Sequence, residues 1–204
     1  MFKDVYDRDY FEKVEGKSKG YDSYGDSWIW QTLPEIIIKE FNPRRVLDIG
    51  CAKGYLMKYL RNRSIEADGV DISEYAVANA DPSIRPYIMN CDISKRTLYQ
   101  DDYFDLICSF NLLEHLTIEE LKSAVDEIKR ICSKDFLFTI DLWSRQDKSH
   151  KTIMSREWWN DFFKQNGLLH NLERETILQK YPLFVQTSWE VFCYRKNIYY
   201  KKGK

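Results

Sequence analysis

Residues 46–56 read VLDIGCAKGYL: an aliphatic run broken at Asp48, a turn holding Gly50 and Gly54, and the start of a second apolar stretch. Val, Leu and Ile in close succession suit a buried strand, and glycines without Cβ let the chain turn sharply and let a ligand approach the backbone. A strand, tight turn and helix at the carboxyl edge of a parallel sheet mark the place where open α/β sheets bind ligands. The spacing is GxxxG, unlike the GxGxxG of a dinucleotide loop, and Asp48 would set a negative charge close to where a pyrophosphate should lie. A carboxylate there suits a ligand with a positive amino group.

Outward from this turn, β-rich runs alternate with amphipathic ones. Strands are expected over 46–49, 67–71, 86–90, 104–110 and 136–141, and helices over 55–63, 74–80 and 118–132. In the last of these helices Ile118, Leu121, Val125, Ile128 and Ile131 recur at helical spacing. Such alternation is the pattern of βαβ units on a parallel sheet. Farther on, Ser155 caps a helix over 155–166 that Gly167 stops. Two β-like runs, 172–178 and 188–196, have a connection too short for a crossover helix and are expected to be antiparallel neighbours. The fold class expected is α/β, Rossmann-like and doubly wound, a mostly parallel seven-stranded sheet with an antiparallel C-terminal strand. One domain over 1–204 is expected, with 1–42 as an N-terminal cap on a core over 43–198.

Two more acidic residues end strands as Asp48 does. Asp71 stands where a carboxylate accepts hydrogen bonds from the hydroxyls of a ribose. Asp92, after the third strand, is placed to accept from an adenine amine, with Ile72 and Ile93 as apolar neighbours for the ring. Each Asp taken singly also suits the N-cap of the helix that follows it. Three at successive strand ends point to a nucleoside.

With VLDIGCAKGYL, GVDIS, NCDIS and FDLICSFNLLEHL in this order, the chain resembles the class I S-adenosylmethionine-dependent methyltransferases over roughly 44–196. The resemblance implies S-adenosylmethionine as cofactor. It implies that Asp48, Gly50 and Gly54, with Cys51 and Ala52 between the glycines, line the methionine and ribose pocket. Asp71, Ile72, Asp92 and Ile93 would hold the adenosine, and Asn111 and Leu112 would face the methionine end. Lys53 fills a loop position that is often small or polar in such enzymes.

Methyl transfer needs an aligned nucleophile and, for a hydroxyl, a group that removes its proton. His115, just past the fourth strand, is the expected general base, because imidazole titrates near neutrality; His150, in the loop after the fifth strand, is expected to meet the acceptor from the opposite side. Glu114 and His115 by themselves are an incomplete set of metal ligands that would need a third, such as His150, and no metal is expected. SREWWNDFFKQNGL resembles the same region of methyltransferases of sugar and secondary metabolism. The N-terminal segment holds Tyr6, Tyr10, Phe11, Tyr21, Tyr24, Trp28 and Trp30 and resembles a substrate-side cap, in which Tyr21, Tyr24 and Trp28 are expected at the substrate.

Composition sets the remaining bounds. At 204 residues, 44% apolar and 15% aromatic, the chain can fill one core. A net charge of −1 gives no general attraction to nucleic acid or to an anionic membrane. No stretch approaches the roughly 20 apolar residues that span a bilayer, and the N-terminus does not read as a secretory signal, so a cytoplasmic protein is expected. Five dispersed cysteines suit reduced core thiols. The expected function is O-methylation of a small molecule or saccharide, with no membrane or nucleic-acid partner. The alternatives are an RNA- or protein-directed methyltransferase and a protein that binds the donor without transferring its methyl.

Overall fold

The computed structural model describes residues 5–12, 25–143, 149–187 and 189–197. Its strands are β1 (Arg45–Ile49), β2 (Glu66–Asp71), β3 (Ile88–Asn90), β4 (Phe104–Phe110), β5 (Cys132–Ile140), β6 (Leu168–His170) and β7 (Glu190–Lys196). They form a seven-stranded sheet in the order β3-β2-β1-β4-β5-β7-β6. Neighbours from β3 through β5 pair in parallel, while β7 runs antiparallel to both β5 and β6. This is the doubly wound fold that the βα alternation implies. Because β1 pairs with β2 on one side and β4 on the other, the winding reverses there and opens a crevice at the carboxyl ends of these two strands.

Both central strands are buried along almost their whole length, so their sequences are mostly apolar on both faces, with Asp48 in β1 and Asp105 and Ser109 in β4 among the polar exceptions. The helices are α1 (Arg8–Phe11), α2 (Trp28–Phe41), α3 (Tyr55–Arg61), α4 (Glu74–Ala78), α5 (Ile118–Ile131), α6 (Arg156–Gln165), α7 (Leu172–Leu178) and α8 (Pro182–Thr187). On one face α5 and α6 bury Leu121, Val125, Trp159 and Phe163 against Phe136 and Phe138 of the sheet. On the other, α2, α3 and α8 bury Leu33, Ile37, Met57 and Leu183. Local chemistry starts the helices where the sequence says it should. Thr117 and Glu120 exchange side-chain bonds with each other's backbone N–H as a capping box for α5, and Ser155 Oγ accepts from Trp158 N at the start of α6.

The C-terminal third corrects the expected pattern. Residues 172–178 form helix α7, not a strand, and the sixth strand is the short Leu168–His170 before it. Asn171 caps α7 by accepting from Arg174 N. The helix sets Glu175 and Leu178 against the protein, and a polar Glu175 in the buried stripe hides the helical period. Its carboxylate is satisfied there by Arg156 Nη1 at 3.0 Å and by Cys193 N at 3.0 Å. Among the described residues no helix is long and apolar enough to cross a membrane.

Candidate active site

The crevice between β1 and β4 leads into a cavity of about 330 Å³. Asp48, Gly50, Cys51 and Ala52 line it from the β1 turn, Asp71 and Ile72 from the end of β2, Asp92 and Ile93 from beyond β3, and Asn111 and Leu112 from beyond β4. Gly54 is not in the wall. It precedes α3 with φ +74°, and a Cβ there would stand 2.8 Å from Ile84 Cγ2, so this glycine serves the packing of α3.

Gly50 has a different reason to be glycine. Its φ is +74° and a Cβ would stand 2.9 Å from Leu112 Cδ2, so the two loops can approach only without a side chain at this point. Ala52 and Asn111 also have positive φ, 49° and 51°, which concentrates backbone strain at the cavity. Asn111 is held by Thr139, whose Oγ1 donates to Asn111 Oδ1 at 2.9 Å.

The carboxylates differ in their surroundings. Asp71 Oδ2 accepts from Ala52 N at 2.7 Å and Oδ1 from Ser73 N at 2.8 Å, which fixes the group and leaves a lone pair on each oxygen for a ligand. Burial raises its pKa, and these two N–H groups pull it partly back. Asp92 Oδ1 accepts from Ser94 N and Ser94 Oγ. Asp48 is only 4% exposed, and among the described residues its carboxylate has no hydrogen-bond partner. Burial first, and the nearby Asp71 second, push its pKa well above the usual range. A buried carboxylate facing a cavity in this state is matched by a cationic ligand group. Cys91 lines the cavity too, but burial lifts its thiol to about 11, so it stays protonated at neutral pH.

An aromatic cover closes the cavity. Tyr6, Tyr10 and Phe11 reach it from the N-terminal segment. That segment is fastened by Ser73 Oγ, which donates to Tyr6 O at 2.6 Å, and by Lys53 and Tyr75, which both bond Glu12 Oε1, at 3.2 and 2.6 Å. A second aromatic group, Trp30, Phe110 and Trp189, stands together at the cavity with ring centroids 5.9–6.4 Å apart. Of the aromatics expected at the substrate, Tyr21 and Tyr24 lie outside the described residues. Trp28 is 47% exposed and not in the wall, whereas Trp30 is. Positions two apart on a helix point about 200° apart, so only one of this pair can face inward. Trp189 and Phe110 escaped the sequence reading, because an aromatic beside a strand looks the same whether it fills a core or lines a cavity.

His115 is buried in the turn Leu113–His115 and contributes to the wall. Its ring meets Tyr6 edge-on at 5.7 Å and His150 edge-on at 4.5 Å. Ser149 Oγ is hydrogen-bonded to His115 Nδ1 at 2.9 Å. His150 is not itself in the wall, and its ring packs on that of His115 instead of standing across the cavity from it. Glu114, with no exposed surface, accepts from Asp141 N through Oε1 at 2.9 Å.

A methyltransferase-domain family model matches residues 24–181. Comparison with curated protein sequences returns no match. Among solved structures, the YcgJ protein from Bacillus subtilis is 18% identical with a TM-score of 0.58, covering 79% of this chain and 94% of that one. A SAM-dependent methyltransferase from Archaeoglobus fulgidus is 18% identical with a TM-score of 0.61, covering 84% and 95%. Phosphoethanolamine N-methyltransferase 2 from Haemonchus contortus, solved with phosphomonomethylethanolamine and S-adenosylhomocysteine, is 18% identical with a TM-score of 0.61, covering 87% of this chain and 55% of that one. At these identities the structures report a shared fold.

Proposed function

We propose that this chain, which belongs to the class I S-adenosylmethionine-dependent methyltransferases, transfers the donor's methyl group to a hydroxyl of a small molecule or saccharide. The donor supplies a methyl carbon already activated by its sulfonium. What remains for the protein is binding, alignment and proton removal.

Asp48, buried and without a partner among the described residues, takes the donor's amino group, and Asp71 takes the ribose hydroxyls on the lone pairs that Ala52 and Ser73 leave. Ile72 and Ile93 flank the adenine, and Asp92 accepts from its amine. Gly50 lets the β1 turn come close to the donor, and Asn111 and Leu112 border its methionine end. Tyr6, Tyr10 and Phe11 exclude water above it.

The observation that carries the acceptor reading is the imidazole of His115 in the cavity wall, oriented by Ser149 and backed by His150. A hydroxyl needs such a group and a neutral amine does not. As the acceptor oxygen bonds the methyl carbon, the carbon–sulfur bond breaks with its pair returning to sulfur, and the hydroxyl proton passes to His115. The donor occupies part of the same cavity of about 330 Å³, and the room left beside it favours a small acceptor or one protruding group. The likeness of SREWWNDFFKQNGL to sugar-directed enzymes favours a saccharide.

The test is release of S-adenosylhomocysteine by the purified protein with panels of phenols, sugar nucleotides and free sugars, small amines, and RNA or protein extracts. Turnover with hydroxyl compounds is expected. Turnover confined to amines, RNA or protein overturns the reading.

A further inference from the structure

The geometry points to a divalent transition-metal site, of the Zn²⁺ or Mn²⁺ kind, formed by Glu114, His115 and His150 beside the donor pocket. One carboxylate and two imidazoles offer ligand atoms that all lie within 4.8 Å of one another. Ligands held at about 2.0–2.2 Å by one ion stand roughly 3–3.5 Å apart, so the set closes by side-chain rotations that shorten these separations by up to about 1–2 Å. Mixed nitrogen and oxygen donors suit a borderline cation better than Mg²⁺ or Ca²⁺, which favour oxygen shells.

Two further observations show a built site. The segment carrying His150 is clamped to the turn carrying the other two ligands: Lys151 N and Thr152 N both donate to Glu114 O at 2.9 Å, and Thr152 Oγ1 donates to Leu116 O at 2.7 Å. The Ser149 hydroxyl on His115 Nδ1 is the kind of outer partner that fixes the plane of a ligating imidazole. Glu114 is the other observation. Its carboxylate is fully buried beside two imidazoles, where a dication offsets the cost of removing its charge from water. Sequence alone left the ligand set one short, and the fold supplies the third from the loop after β5.

Three protein ligands leave coordination positions open, and His115 lines the cavity, so an acceptor oxygen can reach the ion. For this role the inference rests on the hydroxyl reading above. With the ion bound, the acceptor hydroxyl would lose its proton to solvent as its oxygen attacks the methyl carbon, and His115 would act as a ligand; proton transfer to His115 as described above would be the route of the metal-free protein.

The experiment is calorimetric titration of chelator-treated protein with ZnCl₂ and MnCl₂, alongside visible absorption after CoCl₂ addition, on wild type, Glu114→Gln and His150→Ala. Wild type is expected to bind one equivalent and give Co²⁺ d–d bands. His150→Ala, on a loop and less exposed to folding failure, is expected to bind at least about tenfold more weakly while keeping its affinity for S-adenosylhomocysteine. No binding by wild type, or equal binding by His150→Ala, overturns the site. Hydroxyl methylation that persists without any metal binding removes the ion and leaves the hydroxyl reading standing; metal binding with methylation of amines alone does the reverse.

Discussion

Lys53 Nζ stands 3.2 Å from Glu12 Oε1, so the loop after β1 is tied directly to the N-terminal segment that covers the cavity. Tyr75 donates to the same oxygen. Lys53, atypical for its loop position, acts here as a clip. Lys53→Met is expected to weaken S-adenosylhomocysteine binding by up to about fivefold, the upper range for one partly exposed ion pair. Calorimetry checks this, and restored affinity in a charge-swapped Lys53→Glu, Glu12→Lys double variant would tie the effect to the pair. Unchanged affinity in Lys53→Met rules the clip out.

Gly50→Ala forces a Cβ onto Leu112 at 2.9 Å in a backbone region that disfavours side chains. Donor affinity should fall by at least about tenfold, since left-handed strain costs on the order of 1–2 kcal/mol and the clash displaces a cavity wall. Fluorescence titration reads it directly. Gly54→Ala, also at φ +74° but outside the wall, should lower Tm more than it lowers donor affinity.

Asp48 trades stability for binding. Burial and Asp71 raise its pKa in the folded chain, so the folded state holds that proton more tightly than the unfolded state does. The group's contribution is therefore most favourable below the ordinary value of 3.8 and declines as pH rises from there towards the raised value. Asp48→Asn removes the decline. Without ligand its Tm should exceed that of wild type at neutral pH, with the gap closing on acidification, while S-adenosylhomocysteine affinity falls. A variant less stable than wild type at neutral pH contradicts this reading of Asp48.

Trp28 and Trp30 separate in the same way. Trp30→Ala opens the aromatic wall shared with Phe110 and Trp189 and should lower kcat/KM, whereas Trp28→Ala should leave stability within about 0.5 kcal/mol and turnover unchanged. Equal losses in steady-state assays would return Trp28 to the substrate side.

These residues also show what a sequence can carry. β4 was legible to the residue because both its faces are buried and five of its seven residues, Phe104, Leu106, Ile107, Cys108 and Phe110, are apolar. Asp48, Asp71 and Asp92 were legible because strand ends are marked by the chain itself. Helix α7 was not, since the buried Glu175 owes its place to Arg156 and to the backbone of Cys193, partners remote in sequence that no periodicity announces. The choice between Trp28 and Trp30 depends on how α2 is rotated against β4, and that is set by tertiary packing. The meeting of His150 with His115 turns on hydrogen bonds to Glu114 O across a loop, again beyond local pattern.

The donor assignment is tested most directly by calorimetric titration of S-adenosylhomocysteine into wild type and Asp71→Asn. Wild type should bind a single equivalent. Asp71→Asn, which keeps the shape of the side chain but loses an acceptor oxygen shared among Ala52, Ser73 and the ribose, should bind at least about tenfold more weakly. Equal affinity in the two proteins, or no binding by wild type, would contradict the placement of the donor at the ends of β1 and β2.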